Sequence, residues 1–123
     1  MNMDMKKTAV LIASPKEDRY SNKAVRMLLD NNVEVVPIGY RTGLVQNIEI
    51  IVGRPEVENL HTLTLYLNPK NQKVFYDYIL GLKPKRVIFN PGTENEELQK
   101  MLDEQDISWE EACTLVLLST NQF

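Results

Sequence analysis

The sequence predicts an α/β fold in which a mostly parallel sheet of about five strands packs between two layers of helices. Short apolar runs of strand length alternate along the chain with segments of helical spacing. Several runs are apolar on both faces, as is typical of parallel strands that helices cover on both sides. Right-handed crossovers then give one small doubly wound, Rossmann-like three-layer domain over residues 1–123.

The first strand, helix and second strand follow one another closely. Thr8–Ala13 is an apolar run of strand length. A helix over about Ser21–Asp30 is expected next, with the Ser21 hydroxyl as its cap. Asn31-Asn32 can end this helix because asparagine tolerates the left-handed conformation. Val33–Ile38 then reads as the second strand.

The middle of the chain is less regular. Residues 44–59 have no clean helical period, so we expect an irregular crossover there. A short strand at Ile48–Val52 and a helical turn at Glu56–Asn59 are expected within it. Leu60–Leu67 alternates and contains β-branched residues, which predicts a third strand.

A helix is expected over about Lys70–Leu80, ending at Gly81. The residues expected on its inner face are Val74 and Tyr78, with Phe75 and Ile79 as further candidates. Arg86–Asn90 is the next predicted strand.

The last predicted elements are a helix and a closing strand. Thr93 and Glu96 have the spacing of a capping box, so the helix is expected to begin there and run to about Gln105. The apolar run Cys113–Leu118 is predicted to be the closing strand, with Cys113 as a buried small apolar residue.

Composition narrows the functional class. The net charge of -3 argues against a nucleic-acid protein held by a broad basic face. Runs such as Ala9–Ala13 are too short to span a membrane, and the amino-terminal M-N-M-D-M-K-K does not have a signal-peptide pattern. Cys113, the single cysteine, cannot form an internal disulfide, so a cytoplasmic location is expected.

Polar, Gly and Pro residues collect where the predicted strands end. In open α/β sheets, ligands bind beyond the carboxyl ends of the strands. A strand-loop-helix also directs unpaired backbone N–H groups at an anion above the loop, with Ser14, Arg19 and Ser21 as added donors. The alternative is an ordinary connection whose charges face water. The four loops are Ala13-Ser14, Gly39-Tyr40-Arg41, Asn68-Pro69 and Asn90-Pro91-Gly92-Thr93.

The nucleotide fingerprints restrict the ligand. The first loop lacks G-x-G-x-x-G, and Arg41 stands where a dinucleotide site needs an acid for the ribose. A basic residue there suits a ribose phosphate. A P-loop sequence is also absent.

Several segments together resemble a known family, the stand-alone CoA-binding domain proteins. Their Rossmann-like fold is also that of the first domain of the succinyl-CoA synthetase alpha subunit. The matching segments cover most of the chain except residues 44–59, and the combination of R-Y-S-N with N-P-G-T-E-N is the most specific. They are L-I-A-S-P-K-E-D-R-Y-S-N-K-A-V-R-M-L-L, V-E-V-V-P-I, L-T-L-Y-L-N-P, V-I-F-N-P-G-T-E-N and C-T-L-V-L-L.

The resemblance implies that coenzyme A, or an acyl-CoA, lies across the strand ends. Its pyrophosphate would meet Ser14, Arg19, Ser21, Asn22 and Lys23, and its 3′-phosphoadenosine would lie near Tyr40 and Arg41. Its pantetheine arm would run past Leu67, Asn68 and Pro69 toward Asn90, Pro91 and Gly92. Ala13 stands where the family usually has glycine.

Catalysis is not specified by the residues. The one histidine, His61, falls in or just before a strand, away from the four loops, and no cluster has metal-ligand spacing. The related ligases carry their phosphoryl chemistry in other parts of the protein. We therefore expect a non-catalytic CoA carrier or sensor. The alternatives are an accessory subunit of an acyl-CoA ligase or transferase completed by a partner chain, and an NAD(P)-binding protein. Protein partners and homo-oligomers stay open.

Overall fold

The computed structural model of the chain describes residues 6–123, which form a three-layer α/β fold with a six-stranded parallel sheet. Residues 1–5, which begin the amino-terminal segment considered above, lie outside this range. The strands are β1 (Thr8–Ala13), β2 (Val35–Gly39), β3 (Leu44–Val45), β4 (Ile48–Glu49), β5 (Ile51–Val52), β6 (Thr62–Leu65), β7 (Arg86–Phe89) and β8 (Ser108–Glu111). The helices are α1 (Tyr20–Asp30), α2 (Pro69–Gln72), α3 (Tyr76–Leu82), α4 (Glu96–Glu104) and α5 (Thr114–Ser119).

The order of the strands places a switch point at the centre of the sheet. The order is β5-β2-β1-β6-β7-β8, and every neighbouring pair is parallel. From β1 the chain moves outward to β2 and β5, then returns to the other side of β1 as β6. The crossovers on either side of the β1–β6 pair therefore run in opposite directions. This is where an open α/β sheet usually forms its ligand crevice.

Side chains of β1 pack into two cores, one on each face of the sheet, and their alternation is interrupted by a register shift between Leu11 and Ala13. Ala9 and Leu11 face one core, and Val10 and Ala13 face the other. The first core also takes Phe75, Ile79, Leu98 and Leu102 from the segments α2–α3 and α4. The second takes Val25, Leu28 and Leu118 from α1 and α5. The burial of both faces explains why β1 reads as a nearly continuous apolar run, and why both the Thr and the Leu side chains of β6 are buried.

The predicted closing strand at Cys113–Leu118 was wrong. The strand is β8, which pairs with β7, and the apolar run forms α5 after it. A short apolar run does not by itself distinguish a strand from a buried helix segment. In α5, Leu118 is buried and Val116 is exposed. The sequence S-W-E-E of β8 is polar because this strand lies at the sheet edge.

Two predicted helix starts also differ. Helix α1 begins at Tyr20, so Ser21 is its second residue, and no side chain caps it. Helix α4 is capped by Asn95, whose side-chain oxygen accepts from Glu97 N and Leu98 N. The Thr93 hydroxyl instead donates to the Asn90 carbonyl at 2.8 Å.

The predicted end of α1 is confirmed. Asn32 has a φ of 61°, and Val33 N donates to the Leu28 carbonyl at 3.0 Å. This pair of features is the Schellman arrangement that commonly ends helices.

Smaller differences concern element lengths and faces. The strands predicted at Val33 and Leu60 begin later, at Val35 and Thr62. Val74, expected on the inner face of the helix predicted over about Lys70–Leu80, is 67% exposed, whereas the further candidates Phe75 and Ile79 are buried. The crossover of residues 44–59 is irregular as expected, but residues 56–59 form no helical turn. No helix within residues 6–123 is long and apolar enough to cross a membrane.

Candidate functional site

A groove runs along the carboxyl edge of the sheet. It consists of three adjoining cavities of about 340, 260 and 280 Å³, and Tyr66, directly after β6, lines all three. The first lies at the ends of β1 and β2 and the last at the ends of β7 and β8. The groove therefore passes over the β1–β6 switch point.

The first cavity, here called the cationic cleft, is rich in positive charge. Lys16, Arg19 and Arg41 line it and are exposed. Within residues 6–123, none of these three side chains has an ion-pair or hydrogen-bond partner, and no carboxylate lines the cleft. Its lining residues are Ile12, Ala13, Ser14, Pro15, Lys16, Arg19, Ser21, Tyr40, Arg41 and Tyr66. Three unpaired positive side chains and no carboxylate, among the residues that the structure describes, give the cleft a charge that favours an anion.

The start of α1 supplies further donors to this cleft. Lys23 N donates to the Arg19 carbonyl at 3.1 Å, so the N–H groups of Tyr20, Ser21 and Asn22 precede the first intrahelical bond. Because α1 has no side-chain cap, these donors are open to an external acceptor. The Ser21 hydroxyl, predicted to occupy them, lines the cleft instead.

Asn22 shapes the first loop from beneath. Its side-chain nitrogen donates to the Ser14 carbonyl at 2.8 Å, and its side-chain oxygen accepts from Arg26 Nε at 2.8 Å. Arg26 also donates to the Glu17 carbonyl at 2.9 Å. Asn22 is buried. Its amide, predicted as a ligand contact, is thus occupied in holding the loop.

The ends of β1 and β2 approach closely at the floor of the cleft. A Cβ on Gly39 would lie 2.4 Å from the Ala13 carbonyl oxygen, so no larger residue fits there. Ala13 itself is 3% exposed and belongs to the core shared with α1. Its methyl is therefore packed mainly within the protein.

The second cavity, the middle cleft, lies between two loops that a buried glutamine joins. Gln72 Nε2 donates to the Leu67 carbonyl at 2.9 Å and to the Thr93 carbonyl at 2.7 Å. Its side-chain oxygen accepts from Asn95 Nδ2 at 2.8 Å. The cleft is lined by Arg19, Tyr20, Ser21, Tyr66, Leu67, Asn68, Pro91, Gly92 and Thr93. Sequence reasoning missed Gln72, whose burial depends on contacts distant in the chain.

Other predicted contacts take supporting positions. Asn68 caps α2 by accepting from Asn71 N at 2.9 Å, and Pro69 is the first residue of that helix. Lys23 is exposed, with its ammonium 5.1 Å from the centre of the Tyr20 ring. Neither Pro69 nor Lys23 lines a cavity of the groove.

Asn90 joins three elements below the groove. Its Nδ2 donates to Thr64 Oγ1 at 2.6 Å and to the Leu65 carbonyl at 2.8 Å. Its Oδ1 accepts from Thr114 N at 2.9 Å. The side chain was predicted to meet a ligand. Its hydrogen bonds instead hold β6, β7 and α5 together.

The third cavity, the apolar pocket, closes the far end of the groove. Tyr20, Tyr66, Asn90, Pro91, Cys113 and Leu115 line it. No Asp, Glu, Lys, Arg or His is among these lining residues. Cys113 is half-buried, just before α5.

Tyr66 forms the floor of the groove in its neutral form. Burial raises the pKa of the Tyr66 phenol to about 12, so it stays protonated at neutral pH. Its hydroxyl is buried beside Thr64 and Thr114, and within residues 6–123 it has no partner in good hydrogen-bond geometry. The sequence analysis named its neighbours Leu67 and Asn68 but not Tyr66. Its place at the end of a predicted strand was the available signal.

The titratable histidine lies at the opposite edge of the sheet. His61 precedes β6 and Tyr66 follows it, so the two are about 16 Å apart along the strand. His61 Nδ1 is 2.7 Å from Thr62 Oγ1. Burial, followed by the charges of Arg86, Lys6 and Lys85, lowers the pKa of His61. In the part of the chain that is described, no group of three His, Cys, Asp or Glu side chains could hold a metal ion.

Comparisons with known proteins agree with this architecture. An uncharacterized protein of known crystal structure is 50% identical, with a TM-score of 0.93 over 97% of this chain and 98% of that one. A hypothetical protein from Pyrococcus horikoshii OT3 is 25% identical, with a TM-score of 0.81 over 94% of this chain and 82% of that one. The cell-free ID.343 protein from Thermus thermophilus is 21% identical, with a TM-score of 0.81 over 99% of this chain and 94% of that one.

A search among curated proteins finds no match. The sequence profile described as the CoA binding domain matches residues 6–119, nearly the whole chain. The chain therefore belongs to the CoA binding domain family.

Proposed function

We propose that this protein binds coenzyme A along the carboxyl edge of its sheet and acts as a non-catalytic carrier or sensor of that cofactor. One observation carries the proposal. Lys16, Arg19 and Arg41 line the groove at the ends of β1 and β2, whereas no Asp, Glu, Lys or Arg side chain of the described residues lines the pocket at its other end. Coenzyme A has the matching polarity, since its phosphates lie at one end and its uncharged thiol at the other. Family membership supports CoA binding in general.

The pyrophosphate would lie at the start of α1. The open N–H groups of Tyr20, Ser21 and Asn22 favour an anion, as does the positive end of the helix dipole. Arg19 and the Ser14 hydroxyl would add charge and hydrogen bonds, and the exposed Lys23 would add long-range attraction.

The 3′-phosphoadenosine would lie beyond β2. Tyr40 is 61% exposed beside the cleft, and its ring is 6.4 Å from the buried Phe75 ring. The tilted contact with Phe75 helps to hold the Tyr40 ring, and the base would stack on the exposed surface of that ring. Arg41 has no anionic partner within residues 6–123 and would pair with the 3′-phosphate.

The pantetheine arm would follow the middle cleft. Leu67 and Asn68 would form one wall, with Pro69 behind them, and Pro91 and Gly92 the other. Gln72 fixes the separation of these walls through its bonds to both loops.

Calorimetric titration of the purified protein with CoA, acetyl-CoA, NAD and NADP tests the proposal. We expect CoA or acetyl-CoA to bind more tightly than either dinucleotide. The affinity should fall as salt rises, because charged phosphates supply much of the contact. Equal or tighter binding of NADP would overturn the assignment.

A further inference from the structure

We propose that the apolar pocket receives the short, uncharged acyl group of an acyl-CoA thioester, so that the preferred ligand is an acyl-CoA and not free CoA. This inference rests on the proposed function and names the ligand class of the same groove.

The lining of the pocket favours a hydrocarbon. Pro91, Leu115 and the Tyr20 and Tyr66 rings present apolar surface, and Cys113 adds a half-buried thiol. The Asn90 amide also lines the pocket, but its hydrogen bonds are already made within the protein. A carboxylate entering the pocket would lose water and gain no charged partner from the lining, which is costly. The pocket therefore selects against dicarboxylic acyl groups.

The position of the apolar pocket along the sheet edge matches the sulfur end of a CoA whose phosphates lie at the start of α1. From Arg41 after β2 to Cys113 after β8 there are four strand spacings, or about 19 Å. With the phosphates held at the start of α1, the sulfur end of the ligand points away from β2. Tyr20, Tyr66 and Pro91 line both the middle cleft and the apolar pocket, so the arm enters the pocket directly.

The size of the pocket limits the acyl chain. Its volume of about 280 Å³ is near the lower end of ligand cavities, roughly 300–1,000 Å³. An acyl chain of a few carbons fits this space better than a long fatty chain does. Each methylene that is fully removed from water strengthens binding by about threefold to fourfold.

Calorimetric titration with three ligands tests the inference. All three contain the 3′-phosphoadenosine, the pyrophosphate and the pantetheine arm of CoA up to its sulfur atom. Desulfo-CoA ends at the arm, butyryl-CoA adds a short apolar chain, and succinyl-CoA adds a chain of the same carbon number with a carboxylate. We expect butyryl-CoA to bind at least about tenfold more tightly than desulfo-CoA, and succinyl-CoA to lose most of that gain. Equal affinities for butyryl-CoA and desulfo-CoA would overturn the acyl assignment while leaving CoA binding intact. Failure of all three, and of CoA itself, would overturn the proposed function as well.

Two variants of α5 localise the effect. Leu115 lines the pocket and Val116, the next residue, is 54% exposed and does not. Leu115→Asp should abolish the advantage of butyryl-CoA over desulfo-CoA, measured as the ratio of the two affinities within the same variant. Val116→Asp should keep that advantage. An unchanged advantage in a folded Leu115→Asp protein would contradict the assignment.

Alkylation of the wild-type protein gives a readout that needs no variant. Cys113 is the only cysteine of the chain, so N-ethylmaleimide labelling reports on the pocket alone. None of the three ligands has a free thiol that would consume the reagent. Saturating butyryl-CoA should slow labelling at least several-fold more than saturating desulfo-CoA. Equal protection by both would place the acyl group outside the pocket.

Discussion

Arg19 and Arg41 are the side chains on which the proposed phosphate contacts depend most. Both are exposed, and neither belongs to a core cluster. We predict that Arg19→Ala and Arg41→Ala each weaken CoA binding by about 1–3 kcal/mol, the scale of a charge-assisted hydrogen bond. Their melting temperatures should be nearly unchanged. Calorimetry and thermal unfolding measure the two effects separately.

Lys100→Ala is the matched control, because Lys100 is an exposed cation on α4, away from the groove. It should bind CoA like the wild type. Arg41→Ala should also remove most of the preference for CoA over 3′-dephospho-CoA. Wild-type affinity in both arginine variants would mean that the phosphates lie elsewhere.

The lowered pKa of His61 predicts that the free energy of unfolding depends on pH. Burial and the nearby cations lower its pKa in the folded protein below the ordinary value of 6.5. As pH falls through that value, the unfolded chain takes up a proton before the folded protein does, so folding is destabilised toward acid. His61→Gln lacks this loss.

Thermal unfolding of the wild type and of His61→Gln at about pH 7.5 and about pH 5.5 tests this prediction. The melting temperature of His61→Gln, relative to that of the wild type, should be higher at the acid pH. A difference in melting temperature between the two proteins that is the same at both pH values would show that the pKa of His61 is not lowered by folding.

Helix starts show where element-scale prediction works and where it fails. Helix α4 could be predicted in place because Leu98 and Leu102 recur at helical spacing. Its cap was assigned to Thr93 because Thr and Glu fit a capping box, yet Asn95 is nearer the first turn and competes for the same N–H groups. Local patterns give the element, whereas the choice between adjacent polar side chains depends on tertiary contacts.

The hydrogen bonds of Gln72 to both walls of the middle cleft predict that its loss lowers the stability of the folded protein. Gln72→Met would leave the Leu67 and Thr93 carbonyls and the Asn95 amide without this partner in a buried place. We expect a loss of about 2–4 kcal/mol of unfolding free energy, measured by denaturant titration, together with weaker CoA binding.

Gln122→Met serves as control, since the Gln122 side chain is exposed. Its stability should match that of the wild type. A Gln72→Met protein of wild-type stability would show that the joined loops do not depend on this side chain.

At the scale of the whole molecule, the sequence predicted the layers and the edge at which the groove forms. Doubly buried strands have a strong apolar signal, and parallel strands bring their carboxyl ends to one edge. The edge strand β8 was missed because S-W-E-E has no such signal. Gln72 was missed because its role depends on which loops the topology brings together, and no local pattern records that. Tyr66 was missed because the strand was predicted to run to Leu67, whereas it ends at Leu65.

If the protein is a non-catalytic carrier or sensor, the chain alone should have no CoA-ligase activity. Incubation of the pure chain with CoA, ATP and a panel of carboxylic acids should give no thioester above background. His61, the only histidine, lies at the edge opposite the groove, so it cannot act on a ligand held there. Steady turnover that survives repurification would point to a catalytic site outside this account.

Backbone amide NMR of the ¹⁵N-labelled protein during titration with CoA tests the central claim most directly. We predict the largest shifts in the groove loops, at the amides of residues 14, 16–23, 40–41, 66–68 and 92–93. Amides of His61 and Arg86, at the opposite edge of the sheet, should stay nearly unchanged. The largest shifts at that opposite edge, or no shifts at saturating CoA, would contradict the claim that the carboxyl-edge groove is the CoA site.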